Sequence, residues 1–314
     1  VGIGPIVMES APFFDTVAGS AARAVWIKST DGLRLRLAVW DNKTAQGTIF
    51  LLPGRTEYVE KYGLAAAEMV SRGFNVISID WRGQGLSLGR LSDPMVGHVD
   101  DFAEYQCDLD AMLDAAQSMG LSEPFYLMAH SMGGCIGLRG LMGKHPFKAA
   151  AFSAPMWGIA LSTWMRPLAN IISTASGWFG LSHIYAPGTG ATSYVNEAAF
   201  QGNVLTTDAD MWAYMGKQTA EHSELALGGP SMAWAKAAMS ECHQLSMMQS
   251  PDLPCYVALG TSEKVVDPLP IHARMSVWRQ GQLDLYAGLE HEIMMEGPSA
   301  RTRFYDKAAG LFTV

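Results

Sequence analysis

A serine, a carboxylate and a histidine, met in that order along the chain, have the types needed to transfer an acyl group. Ser131 lies in Phe125-Tyr126-Leu127-Met128-Ala129-His130-Ser131-Met132-Gly133-Gly134, where an apolar run meets a serine with small neighbours and continues into a helix-length segment. A sharp strand-to-helix turn forces unusual backbone angles on its apex and needs small residues beside it so that strand and helix can approach. The spacing is G-x-S-x-G with Ala129 in the first glycine position. A hydroxyl raised on that apex faces the first free N–H groups of the helix, starting at Met132, which can stabilise a forming oxyanion. A serine between small residues is often merely structural, so its partners decide.

The hydroxyl attacks only when an imidazole takes its proton, and the imidazole needs an acid to fix its tautomer and balance its charge. His291 fits the base: it follows the run Leu283 to Tyr286 through Ala287-Gly288-Leu289-Glu290 and precedes the last helix-length segment. The other seven histidines lack that placement and are read as hydrogen-bonding, cap-lining or surface residues. For the acid, Gly260-Thr261-Ser262-Glu263-Lys264-Val265-Val266-Asp267 offers two carboxylates just past an apolar run. Glu263 is the first choice and Asp267 the alternative. Asp267 precedes Pro268, which also suits a side chain that simply caps the next helix. A second oxyanion donor is expected in Pro53-Gly54-Arg55-Thr56-Glu57, where the backbone N–H of Arg55 pairs with that of Met132. The Arg55 side chain is expected to form a salt bridge with Glu57 or Glu60 rather than hold a phosphate or carboxylate.

Other chemistries fail on spacing. His291-Glu292 lacks the second histidine of HExxH, Gly137 to Lys144 does not match a P-loop, and no GxGxxG follows a strand-like run. Cys107, Cys135, Cys242 and Cys255 form no CxxC pair and have no histidine at ligand spacing, so buried free thiols are expected, with neither metal nor cofactor. The 30 acidic and 22 basic residues give a formal charge of −8, which disfavours nucleic acid. Charged residues make up only 17% of the chain, against the usual ~25%. That deficit leaves apolar surface for a ligand, a lipid or a partner.

The elements that must position these side chains are legible as periodic runs. Ala24 to Ser29, Leu33 to Trp40, Thr48 to Leu52, Asn75 to Ile79, Phe125 to His130, Ala149 to Ser153, Cys255 to Gly260 and Leu283 to Tyr286 read as strands. The first two form a hairpin turning at Asp31-Gly32. Helices are expected over Glu60 to Ser71, Asp101 to Gln117, Met132 to Lys144, Ile271 to Trp278 and Ser299 to Leu311. This alternation of nearly unbroken apolar strands with helices predicts a mostly parallel sheet covered on both faces, with the hairpin as an antiparallel edge. Between Pro155 and about Leu245 no strand is evident, yet five of the nine tryptophans fall there. That interval reads as a helical insertion over the carboxyl edge of the sheet, where ligands bind in open α/β folds.

Together with Glu60-Lys61-Tyr62, Asp80-Trp81-Arg82-Gly83-Gln84-Gly85-Leu86-Ser87, Gly97-His98-Val99 and His291-Glu292 before Glu296, these motifs resemble the α/β-hydrolase superfamily. Within it they are similar to the lysophospholipase and monoacylglycerol-lipase branch, particularly bacterial enzymes of the lysophospholipase L2 type. The resemblance covers most of the core but not the insertion. It implies an α/β-hydrolase fold, with residues 1–155 and 246–314 as the core and 156–245 as a helical cap inserted late in the sheet. It implies Ser131 as nucleophile, His291 as base, and the residue three after Gly260 as acid. Family members usually carry Asp there, so whether Glu263 serves or Asp267 has taken over stays open. The familiar His-Gly before the oxyanion loop is replaced by Pro53-Gly54, and Asp80 to Ser87 are expected to hold their loop in place.

The activity implied is a serine carboxylic-ester hydrolase that removes one acyl chain from a lysophospholipid or monoacylglycerol through an acyl-enzyme. Trp157, Trp164, Trp178 and Trp212 of the insertion are expected to bind that chain. Acyl transfer to another alcohol, and a non-catalytic lipid or small-ligand binder, are the alternatives. Dehalogenase and epoxide-hydrolase chemistry is disfavoured, because those members place Asp where Ser131 stands. A small acyl ester is the expected partner. Val1 to Phe14 has neither a basic n-region nor an apolar h-region, so a cytoplasmic setting is expected. The uncharged stretch from Pro167 to Asn196 is broken by Pro187, glycines and polar residues, and is expected to lie against lipid rather than cross it.

Overall fold

A computed structural model describes residues 8–87, 89, 91–160 and 182–313. Its strands are β1 (Glu9–Ser10), β2 (Arg23–Lys28), β3 (Arg34–Trp40), β4 (Thr48–Leu52), β5 (Asn75–Asp80), β6 (Phe125–His130), β7 (Phe147–Ser153), β8 (Cys255–Gly260) and β9 (Gly281–Tyr286). They form one sheet in the order β1-β2-β3-β5-β4-β6-β7-β8-β9. The pairs from β1 to β3, and β3 with β5, are antiparallel; the rest of the sheet is parallel. The expected hairpin is present: Lys28 faces Arg34, and Gly32 takes a positive φ of 87° in the turn.

Residues of period two explain why the central strands read as continuous apolar runs. Phe50 and Leu52 of β4, Leu127 and Ala129 of β6, and Val257 and Leu259 of β8 join one buried cluster. Their alternates Ile49, Leu51, Met128, Tyr256 and Ala258 join a second. Successive side chains point to opposite faces, so both faces are covered and neither calls for polar residues.

The helices are α1 (Asp15–Ala18), α2 (Gly63–Ser71), α3 (Ala103–Ser118), α4 (Ser131–Leu141), α5 (Tyr194–Glu197), α6 (Ala209–Glu221), α7 (Met232–Ser246), α8 (Pro268–Met275) and α9 (Pro298–Phe312). The segment expected to be helical from Glu60 opens as a 3-10 turn, Val59–Tyr62, before α2. Among the described residues, β7 and β8 are linked by α5, α6 and α7 with no intervening strand. Asp208 and Ser231 cap α6 and α7, accepting from the N–H groups of Met211 and Trp234. Trp234, Ala238, Cys242 and Leu245 of α7 pack into the same core cluster as the central strands. No helix among the described residues is long and apolar enough to cross a membrane.

Candidate active site

At the end of β6 the backbone turns into α4 through Ser131, whose φ of 49° is a left-handed value that residues with a side chain rarely adopt. Packing holds it there. The Met156 N–H donates to the Ser131 carbonyl at 2.8 Å. A Cβ on Gly133 would lie 2.2 Å from the Leu52 carbonyl oxygen, and one on Gly134 would lie 2.5 Å from Pro155. These glycines are required by the close approach of helix to sheet. Ala129, by contrast, lies in regular strand between Leu52 and Phe152 and needs no glycine.

The two residues expected to supply oxyanion N–H groups are Met132, which follows the serine, and Arg55, which lines the same cavity as Ser131. Met132 is the second residue of α4, in the turn whose N–H groups have no carbonyl inside the helix. Arg55 follows Gly54 in the loop after β4. Trp81 Nε1 donates to the Pro53 carbonyl at 2.8 Å, and Gln84 Nε2 donates to the Gly54 and Glu57 carbonyls at 3.0 and 3.1 Å. The Glu57 carboxylate in turn accepts from the Gly54 N–H. Asp80 accepts from the Val59 and Leu86 N–H groups, and Ser87 Oγ donates to the Asp80 carbonyl. The Asp80 to Ser87 segment therefore holds its own loop, as expected, and in addition braces the loop after β4.

His291 is buried beyond β9, and its Nδ1 lies 2.7 Å from Glu263 Oε2. The other Glu263 oxygen accepts from the N–H groups of Val265 and Val266 at 2.6 and 3.0 Å. Burial by itself would raise the pKa of this carboxyl group, but the bond to His291 and the backbone donors outweigh it and hold it below the ordinary value. Asp267 accepts from the Leu269 N–H at 3.0 Å as the cap of α8. Of the two candidate acids, the structure brings Glu263 against the imidazole. Close approach at the end of β8 makes this happen: a Cβ on Gly260 would lie 2.3 Å from the carbonyl oxygens of Leu289 and Glu290, so the two loops touch just before His291.

Behind this pair lies a buried polar cluster that the sequence reading missed. Lys61 Nζ sits 2.7 Å from Glu57 Oε1 and 2.5 Å from Glu292 Oε2. His130 Nδ1 lies 3.0 Å from the Ser153 carbonyl, its Nε2 is 3.6 Å from Glu57 Oε1, and its ring centroid is 4.7 Å from that of His291. Glu57, His130 and Glu292 have the spacing of a cation site, and the Lys61 ammonium supplies the positive charge to both carboxylates. Burial opposes the charged form of Glu57, yet Lys61 beside it drives its pKa down to about 2. Burial and the neighbouring Glu57 charge raise that of Glu292. Desolvation lowers the His130 pKa to about 3, so this imidazole is neutral. The signal available in the sequence was adjacency alone: His130 precedes the serine and Glu292 follows the histidine.

Ser131, His291 and Arg55 line one cavity of about 340 Å³, walled by Met156, Ile159, Leu205, Met215, Val265 and Val266. The tryptophan expectations need correction. Trp157 is a core residue: it is 2% exposed, donates from Nε1 to the Gly134 carbonyl at 3.1 Å and stacks with Trp278, so it supports α4 from behind. Trp212 packs on Tyr194 and Phe200 and does not line the cavity. Trp164 and Trp178 lie outside the described residues. Among the described residues, the tryptophan that lines the cavity is Trp234 of α7. The expected salt bridge of Arg55 is also overturned, because Glu57 pairs with Lys61 and Glu60 makes a two-point pair with Arg36.

Residues 43–298 match the family described as Serine aminopeptidase, S33. The chain is 31% identical over 265 residues to lysophospholipase L2 of Escherichia coli (strain K12), covering 81% of this chain and 76% of that protein. Its fold matches a monoglyceride lipase from Saccharomyces cerevisiae, a soluble variant bound to a substrate analogue, with a TM-score of 0.74 and 18% identity over 96% of this chain and 99% of the other. A monoacylglycerol lipase from Paleococcus ferrophilus matches with a TM-score of 0.67 and 17% identity over 89% and 98% of the two chains. Both likenesses establish the α/β-hydrolase fold.

Proposed function

Since this chain belongs to the serine aminopeptidase S33 family of α/β-hydrolases, we propose that it is a serine carboxylic-ester hydrolase that removes the single acyl chain of a lysophospholipid or monoacylglycerol. In this reading Ser131 Oγ attacks the ester carbonyl while His291 takes its proton through Nε2, the nitrogen left over from the bond to Glu263. The tetrahedral oxygen is held by the N–H groups of Met132 and Arg55. His291 then protonates the leaving alcohol, the acyl-enzyme forms, and water activated by the same imidazole releases the fatty acid. Glu263 fixes the tautomer throughout. Asp267 keeps its capping role.

The observation that carries the proposal is the 2.7 Å pairing of His291 with Glu263 in a chain 31% identical to a lysophospholipase L2. A non-catalytic binder was attractive only while Glu263 stood as a departure from Asp, and the pairing supports an intact acid instead. The family description names an aminopeptidase, which needs a carboxylate to receive a substrate amine. The cavity carboxylates Glu57 and Glu292 already share Lys61, and this favours an ester over a peptide.

The apolar wall of the cavity supports an acyl chain as the group bound there. Within this reading the cap comprises residues 156–245, with α7 packed on the core. Its substrates partition into lipid, so the enzyme is taken to work from the cytoplasm with peripheral contact at a lipid surface, which exposed Leu269 and Val277 support. Hydrolysis should be assayed on p-nitrophenyl esters of increasing chain length beside lysophosphatidylcholine, monoolein and an aminoacyl p-nitroanilide. Long-chain preference with release of free fatty acid is expected. A sharp preference for acetate, cleavage of the anilide, or transfer of the acyl group to an added alcohol in place of hydrolysis would count against it.

A further inference from the structure

Arg55 contributes a backbone N–H to the scheme above, which leaves its charge unused. The guanidinium packs against Gly97, where a Cβ would fall 2.9 Å from Nη2, and lies 5.3 Å from the Trp234 ring centroid on the cavity wall. Nη2 donates to the Gly228 carbonyl at 2.6 Å, while Nε is wholly buried without a hydrogen-bond partner. Among the described residues no carboxylate pairs with it, and residues 1–7, 88, 90, 161–181 and 314 include no Asp or Glu.

The buried cations of this protein are treated differently. Arg36 is held by Glu60 and Asp80, Arg82 by Asp108, Glu104 and Asp31, and Lys61 by two carboxylates. Arg274 also lacks an acid, but it spends its donors on the Leu245 and Met248 carbonyls and on Ser250, away from this cavity. Loss of water without a counter-ion pulls the Arg55 pKa down to about 10. A desolvated cation with a free donor is unfavourable by itself and becomes favourable when an anion arrives.

On the hydrolase reading, on which this inference rests, the anion comes with the substrate. We infer that the Arg55 side chain binds the phosphodiester of a lysophospholipid's leaving group, so that the site selects lysophospholipid over monoacylglycerol. The planar guanidinium fork suits phosphate oxygens. Its reach also suits the substrate. In a lysophospholipid three carbons and one oxygen separate the ester oxygen from phosphorus, and the guanidinium is carried on three methylenes from the residue whose N–H faces the ester carbonyl. A monoacylglycerol presents only hydroxyl groups to the same place and leaves the charge without a partner.

The test is kcat/KM for oleoyl lysophosphatidylcholine and for monoolein, measured on the wild type, Arg55→Met and Arg55→Lys. Arg55→Met is expected to lower the ratio of the two values about tenfold or more, chiefly through KM for the phospholipid, with Arg55→Lys recovering part of the loss. A ratio within twofold of the wild type overturns the inference, while wild-type turnover of monoolein leaves the hydrolase reading standing. A wild type that cleaves neither lipid overturns both.

Because a substitution at Arg55 can disturb the oxyanion loop, a second measurement uses only the wild type: inhibition of monoolein hydrolysis by glycerophosphocholine, glycerol and inorganic phosphate. Competitive inhibition by glycerophosphocholine at about a tenth of the glycerol concentration or less is expected. Inhibition no stronger than that of glycerol, or weaker than that of inorganic phosphate, overturns the assignment to a lipid headgroup.

Discussion

Glu263 Oε2 stands 2.7 Å from His291 Nδ1, with its second oxygen tied to the N–H groups of Val265 and Val266. The carboxylate is thus oriented from both ends. Glu263→Gln is expected to lower kcat about 10³- to 10⁴-fold, since the imidazole loses its tautomer control. Asp267→Asn, which alters the cap of α8 and not the partner of His291, is expected to cost about 1 kcal/mol or less of stability and change kcat only a few-fold. Steady-state kinetics on a p-nitrophenyl ester decide, and equal damage by both substitutions would undo the assignment.

The neutral, buried His130 makes stability depend on pH. Its folded pKa is depressed to about 3 from an ordinary value of 6.5, so below 6.5 the unfolded chain binds a proton that the folded chain refuses. This contribution to stability is complete above pH 6.5 and is lost as pH falls toward 3, at up to about 1.4 kcal/mol per unit. Urea denaturation of the wild type and His130→Asn across that window should show a shallower slope in the variant. Parallel slopes would mean that His130 is not the group responsible.

How much of this was legible beforehand follows from the range of the interactions. Phe50, Leu127 and Val257 lie on strands buried on both faces, and such strands announce themselves as short apolar runs, so β4, β6 and β8 have the bounds expected. Ser131, Glu263 and His291 each follow a strand end, which is a local signal. Pairings between distant segments are not local. Glu60 was free to pair with Arg55 as far as the sequence could say, and only the sheet brings Arg36 of β3 against it. Trp157 and Trp234 look alike in a helical insertion. One stacks against Trp278 in the core and the other faces the cavity, a distinction set by how α7 packs beside α4.

Lys61 neutralises two buried carboxylates, so its removal should be felt well beyond one contact. Lys61→Met leaves Glu57 and Glu292 facing each other without a cation, and a loss on the order of 3–5 kcal/mol is expected. Chemical denaturation measures it. The triple change of Lys61, Glu57 and Glu292 to apolar residues should recover part of that loss, and a single Lys61→Met of native stability would contradict the charge arrangement.

Gly133 tests the approach of α4 to the sheet. A methyl group there meets the Leu52 and Pro53 carbonyl oxygens at 2.2 and 2.5 Å, both backbone atoms that cannot rotate away. Gly133→Ala is expected to destabilise by about 3 kcal/mol or more and to reduce activity in the fraction that folds, because the oxyanion loop must shift. Thermal melting together with the activity per folded molecule gives the answer, and a variant with native stability and native turnover would refute the packing argument.

The central claim is that Ser131 is a nucleophile activated by His291. Its most direct measurement is the rate and site of labelling by a fluorophosphonate, read by intact-protein and peptide mass spectrometry. The account predicts one adduct per chain, located on Ser131, lost in Ser131→Ala and slowed at least about a hundredfold in His291→Ala. An unlabelled native chain, an adduct on another residue, or labelling of His291→Ala at the native rate would contradict it.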